Sequence, residues 1–120
     1  MRKGRKKSGG KYLKSKKKKL HAIAGQKRIV KIGEEKRKIK RTRGKNKKIF
    51  LLKTKFINAR TKDKKTKKVE IKNVLETPSN RFLARQNILT KGTIVDTEIG
   101  KVKITNRPTQ EGVVNGILVE

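Results

Sequence analysis

Residues Thr93–Asn106 read TIVDTEIGKVKITN, and the second half of this stretch decides the class of the fold. Val102 and Ile104 alternate with Lys101, Lys103 and Thr105. Successive side chains of a strand point to opposite faces, so this period of two buries one face and leaves the other in water. Thr93–Ile99 reads as a second strand, with Gly100 making the tight turn between the two. Downstream, Arg107-Pro108 opens a loop that Gly112 ends, and Val113–Val119 (VVNGILV) is the most apolar run of the chain, the expected central strand.

Upstream, Val69–Leu75 (VEIKNVL) is another strand, ended by Thr77-Pro78. Ser79 or Asn80 caps a short helix over Arg81–Asn87, with Phe82 and Leu83 turned inward. Arg81 and Arg85, four apart, share its outer face. Arg60–Lys68 (RTKDKKTKK) is a charged loop. Lys47–Ala59 (KKIFLLKTKFINA) has β-branched and aromatic residues and no breaker, and reads as one strand. It joins Lys36–Arg43 (KRKIKRTR) through a turn at Gly44-Lys45-Asn46, so that Arg37, Arg41 and Arg43 form an outward row. The expectation is a mainly β protein: a small six-stranded barrel-like body over 36–120, with one short helix covering an open end. Residues 1–35 are expected to be a basic, disordered extension.

The charge is concentrated in the first half of the chain. Lys and Arg number 38 against nine Asp and Glu, net +29. Residues 1–50 contribute 23 basic and two acidic side chains, net +21; residues 51–120 contribute 15 and seven, net +8. Arg2–Lys19 (RKGRKKSGGKYLKSKKKK) has eleven basic residues of eighteen and no acid. Unpaired ammonium groups cost several kcal/mol each, roughly, when buried, so these side chains belong in solvent or on a polyanion. Tyr12 and Leu13 are too few to offset the entropy of ordering. Ser8-Gly9-Gly10 reads as a flexible joint in the arm, and Ile29–Ile32 as a small apolar stretch of undecided structure between Gly25 and Gly33.

What is missing narrows the function. The chain has no cysteine, which removes disulfides, zinc knuckles and thiol chemistry. It has no apolar run long enough to span a membrane and no signal-type h-region, so a cytoplasmic location is the default. Phosphate-loop and dinucleotide fingerprints are absent, and Lys91-Gly92-Thr93 reads as a turn. His21 is the one histidine and reads as a surface or RNA-contact residue. Asp96 and Glu98 read as surface acids; an enzyme built on them would need a metal for which no His or Cys partner exists. No cofactor and no small-molecule substrate are expected.

What is present suits nucleic acid. The arm offers point charges for phosphates through Arg2, Lys3, Arg5, Lys6, Lys7, Lys11, Lys14, Lys16, Lys17, Lys18 and Lys19, followed by Lys27 and Arg28. Arg41-Thr42-Arg43-Gly44-Lys45-Asn46 places two guanidinium groups, a hydroxyl, an amide and an exposed turn backbone within six residues, flanked by Arg37 and Lys47. Guanidinium groups grip phosphate bidentately or stack on bases. Arg81, Arg85 and Arg107 are second-tier candidates. Four aromatics are too few for a single-strand stacking platform, no long basic helix fits a major groove, and a membrane binder needs a larger apolar face. A knob with a long basic arm suits a large folded RNA. A non-specific nucleic-acid chaperone or chromatin-type protein is the alternative.

Several ordered blocks add a resemblance: Ser8-Gly9-Gly10-Lys11, RTRGKN at Arg41–Asn46, ETPSN at Glu76–Asn80, NILTKGTIVDTEIG at Asn87–Gly100 and RPTQEGVVNGILVE at Arg107–Glu120. Through them the chain resembles the ribosomal protein S8e family, a small-subunit family of archaea and eukaryotes. It lacks the long insertion typical of eukaryotic members and so is similar to the archaeal form. The resemblance implies a β-barrel body with an rRNA-binding extension, residence in the cytoplasmic ribosome, and small-subunit rRNA and neighbouring ribosomal proteins as partners.

Overall fold

The computed structural model describes residues 4–12 and 17–119. In chain order the strands are β1 (Lys31–Ile32), β2 (Lys36–Arg41), β3 (Lys47–Thr54), β4 (Phe56–Arg60), β5 (Thr66–Glu76), β6 (Ile94–Thr97), β7 (Gly100–Ile104) and β8 (Asn115–Leu118). Helix α1 (Arg81–Arg85) lies between β5 and β6, and α2 (Pro108–Glu111) between β7 and β8. Strands β4-β5-β6-β7-β8 form a closed barrel, and β1-β3-β2 a separate three-stranded sheet. The mainly β, barrel-like expectation holds, with five barrel strands rather than six.

The difference arises at Lys55. The run Lys47–Ala59 is two strands, one in each sheet, and Thr54 turns the corner: its Oγ1 accepts the Phe56 N–H at 3.2 Å. Lys55 O accepts the Ile71 N–H at 2.7 Å, which ties the corner to β5. A corner made by a threonine hydroxyl carries no glycine or proline mark. The β6–β7 hairpin pairs Thr97 with Gly100, so its two turn residues are Glu98 and Ile99, and Gly100 (φ 121°) begins the next strand. The barrel closes where β4 runs parallel to β8, with Asn58 opposite Asn115 and their side chains bonded at 3.0 Å.

Inward positions follow the alternation: Ile57 and Ala59 from β4, Val69, Ile71 and Val74 from β5, Val95 from β6, Val102 and Ile104 from β7. Gly116 of β8 is buried among them. A Cβ there would lie 2.5 Å from Val102 Cγ1 and 2.9 Å from Lys103 O, so only glycine fits this close approach. The loop over 105–114 is held by Asn106, whose side chain donates to Val113 O at 2.8 Å and accepts from the Asn115 N–H at 3.0 Å. The segment expected as plain loop contains α2, with Pro108 in its first turn and Gly112 in the left-handed region at its end.

Helix α1 is capped as expected, Asn80 Oδ1 accepting the Phe82 N–H at 2.9 Å. Its inner face is Leu83 and Ala84, while Phe82 is 61% exposed and does not turn inward as expected. Neighbouring residues on a helix point about 100° apart, and with Ala84 packed on the core Phe82 is rotated out.

The stretch Ile29–Ile32 is an anchor. Val30 is fully buried, its carbonyl accepts the Leu89 N–H at 2.9 Å, and β1 runs parallel to β3. Every described residue from 4 to 29 is exposed. Ser8-Gly9-Gly10, expected as a flexible joint, forms a tight turn: Lys6 N–H donates to Gly10 O and Gly9 N–H to Lys6 O, both at 2.9 Å. The molecule is elongated, 68 × 34 × 27 Å with a radius of gyration of 21.2 Å. A compact chain of this length would have about 14 Å.

Candidate nucleic-acid interface

The β2–β3 hairpin projects charge because its β2 strand is uncovered, while β3 buries Leu51 and Thr54. All six residues of β2 (KRKIKR) are exposed. Across the hairpin Lys40 faces Lys48, Arg41 faces Lys47, and Lys36 faces Lys53. Like charges directly opposite destabilise a sheet, so this pattern works against the free fold and favours a polyanion on its surface. Arg37 is tied to Glu35 in an ion pair. Arg37 and Arg41 share one face with Ile39, Ile49 and Leu51, whereas Arg43 lies in the turn rather than in the strand row.

That turn spans five residues, 42–46, rather than the three expected. Thr42 N–H and Oγ1 both donate to Asn46 O, at 2.8 and 3.0 Å. Gly44 (φ 77°) and Lys45 (φ 63°) are both left-handed, which presents Arg43, Gly44 and Lys45 to solvent at the tip. Only the first sits there without strain.

Beside the hairpin runs an open groove of about 810 Å³ lined by Arg28, Lys40, Thr42, Lys47, Lys48, Ile49, Phe50, Gln110 and Glu111. The Arg28 guanidinium lies 3.6 Å from the centroid of the Phe50 ring, a cation–π stack. Glu111 is the single carboxylate of the groove. The Arg107 N–H, and after it the Asn106 side chain, bond to it and hold its carboxyl below the usual range, so it stays ionised.

The remaining candidates are dispersed. Arg81 and Arg85 line a shallow groove between α1 and β5 with Asn73, Glu76 and Asn87. Arg107 is exposed at the start of α2. In the arm, Arg5, Lys6, Lys7, Lys11, Lys17, Lys18, Lys19 and Lys27 are all exposed. Arg5 Nη1 donates to Gly9 O at 3.1 Å, and Lys6 Nζ lies 5.9 Å from the Tyr12 ring. Arg2, Lys3, Lys14 and Lys16 lie outside the described residues. Thus Arg28 and Lys47 come together in one groove, Arg41 stands opposite Lys47, and Arg81 pairs with Arg85. Lys40 and Lys48 belong to the groove and were not among the sequence candidates. Their pairing follows only once the turn is known to take five residues. His21 is exposed in a single 3₁₀ turn over Leu20–Ala22. Among the described residues no three His, Cys, Asp or Glu side chains group to hold a metal.

A sequence model described as Ribosomal protein S8e matches residues 1–119. The small ribosomal subunit protein eS8 of Staphylothermus marinus is 46% identical over 97% of this chain and 92% of its own length. That of Nanoarchaeum equitans is 44% identical over 91% and 87% respectively. That of Pyrobaculum aerophilum is 41% identical over 97% and 91%. A barrel flanked by a basic hairpin, together with a family match over nearly every residue, leaves one assignment: this chain belongs to the ribosomal protein S8e family of the small ribosomal subunit, a family of structural proteins not known to be enzymatic.

Proposed function

We propose that this protein is a structural constituent of the small ribosomal subunit that binds rRNA. Contact is made through the arm within 1–35, through the β2–β3 hairpin with its Arg41–Asn46 tip, and through the groove beside it, with 36–120 as the platform. The observation that carries this reading is the set of like charges opposed across a hairpin whose β2 strand is wholly exposed. A fold that opposes Lys40 to Lys48 and Arg41 to Lys47 without acids between them is completed by phosphates. The mechanism is neutralisation of phosphate charge plus shape recognition, with no bond made or broken. The working location is the ribosome in the cytoplasm, beside neighbouring small-subunit proteins.

Filter binding of the full chain to archaeal small-subunit rRNA, and to an unrelated RNA of equal length, tests this across a salt series. The affinities converge at low salt, where every phosphate attracts the arm, and separate by tenfold or more at moderate salt. Equal affinities at every salt concentration would favour the non-specific chaperone instead.

A further inference from the structure

The groove beside the hairpin continues into a smaller recess of about 340 Å³, lined by Gly25, Gln26, Arg28, Phe50, Thr109 and Gln110. Its chemistry differs from that of the groove. Lys40, Lys47 and Lys48 line the groove and not the recess, where Arg28 is the one charged group. The other polar groups are two carboxamides and a hydroxyl. The Arg28 guanidinium carbon lies over the Phe50 ring, 3.6 Å from its centroid, yet the residue remains exposed. One side of the guanidinium is therefore backed by the ring while the side chain still opens to solvent. Gln26 and Gln110 are exposed, and each carries both donors and an acceptor, the pair of functions that a base edge presents in return. A Cβ built on Gly25 meets no atom within 4 Å, so the mouth of the recess beside it is open.

From this juxtaposition we propose that the recess receives one unpaired RNA base, stacked on the guanidinium of Arg28 and read at its edge by Gln26 and Gln110. Its backbone phosphates lie along the lysines of the adjoining groove. The inference deepens the rRNA reading and rests on it. It makes part of the contact specific to a splayed-out nucleotide, the form in which RNA exposes its base edges, rather than to the phosphate backbone of a helix. A phosphate alone would be better served in the groove, where three ammonium groups line the wall; a planar cation backed by a ring, with amides around it, suits a planar, neutral ligand.

The test uses the full chain bound to archaeal small-subunit rRNA. Two probes are applied to each complex: hydroxyl radicals for the backbone, and dimethyl sulfate, kethoxal and carbodiimide for base edges of all four kinds. Arg28→Lys keeps the charge and removes the flat stack, and Gln110→Ala removes one edge contact. Stacking of one base is worth roughly tenfold in affinity or more, so Arg28→Lys binds about tenfold more weakly with the salt slope unchanged. At least one unpaired base protected by the wild type becomes reactive in both variants, while the backbone footprint stays. Retention of every base protection in both variants would overturn the inference and leave the rRNA reading standing. So would an affinity loss seen only as a change of salt slope. The absence of any discrete backbone footprint with the wild type would instead overturn the rRNA reading, and this inference with it.

Discussion

Gly116 shows how one residue is fixed by neighbours far away in sequence. The apolar run Val113–Val119 announced a strand, and the strand exists over Asn115–Leu118. Nothing local explains a glycine within it, because the crowding comes from Val102 on β7 and Ile57 on β4. Gly116→Ala drives a methyl into both and onto a backbone carbonyl. We expect a loss of about 1–3 kcal/mol, read as a lower urea midpoint with unchanged m value. Glu111 makes a second residue-level prediction. Its folded-state acidity is raised by the Arg107 N–H and the Asn106 amide, so its pKa in the native state lies below that of the unfolded chain. Its contribution is then fully present above the unfolded carboxyl pKa and is lost as pH falls through the lower folded value. Melting curves between pH 6 and pH 3 should fall more steeply for wild type than for Glu111→Gln, since the glutamine has no proton to gain. The α2 segment that Glu111 closes was legible only as a loop, because a four-residue helix has no periodicity to display.

At the scale of elements, alternation was a dependable guide where one face is buried and the turn is short. Val102 and Ile104 read correctly for that reason, and so did the cap at Asn80. The corner at Lys55 was illegible because Thr54 makes it with a side-chain hydrogen bond rather than with a breaker residue. The role of Val30 was illegible because a single buried residue beside a two-residue strand leaves no pattern. Within the candidate interface, the Arg41–Asn46 tip was legible from its composition. The groove was not, since it joins Arg28, the hairpin and α2, three segments distant in sequence. The hairpin yields the sharpest element-level prediction. Lys48→Glu replaces a like-charge pair with Lys40 by an opposite-charge one. The free protein should gain about 0.2–1 kcal/mol in denaturant titrations, while rRNA binding weakens and its salt slope falls by one to two units. A variant that binds rRNA as well as wild type would show that this surface faces away from the RNA.

For the whole molecule, the decisive fact is a charge of +29 on 120 residues. The two halves were legible directly: a basic first half with little apolar content, and a second half that supplies most of the core. Self-repulsion at that charge works against the folded state, and salt screens it over about 10 Å at 0.1 M. The free protein should therefore melt at higher temperature in 500 mM than in 50 mM sodium chloride, while its affinity for rRNA falls over the same interval. These opposite responses mark a fold completed by its partner. The elongated shape agrees with this, since every described residue from 4 to 29 is exposed rather than packed against the barrel.

The central claim is that the basic hairpin and groove seat this protein at one place on small-subunit rRNA. Hydroxyl-radical footprinting of that rRNA tests it most directly, with the full wild-type chain and with a variant carrying Lys40→Gln, Arg41→Gln, Lys47→Gln and Lys48→Gln. We predict one discrete protected region that survives moderate salt and loses a defined part of its protection in the variant. Diffuse protection that fades steeply with salt and is identical for the two proteins would contradict it.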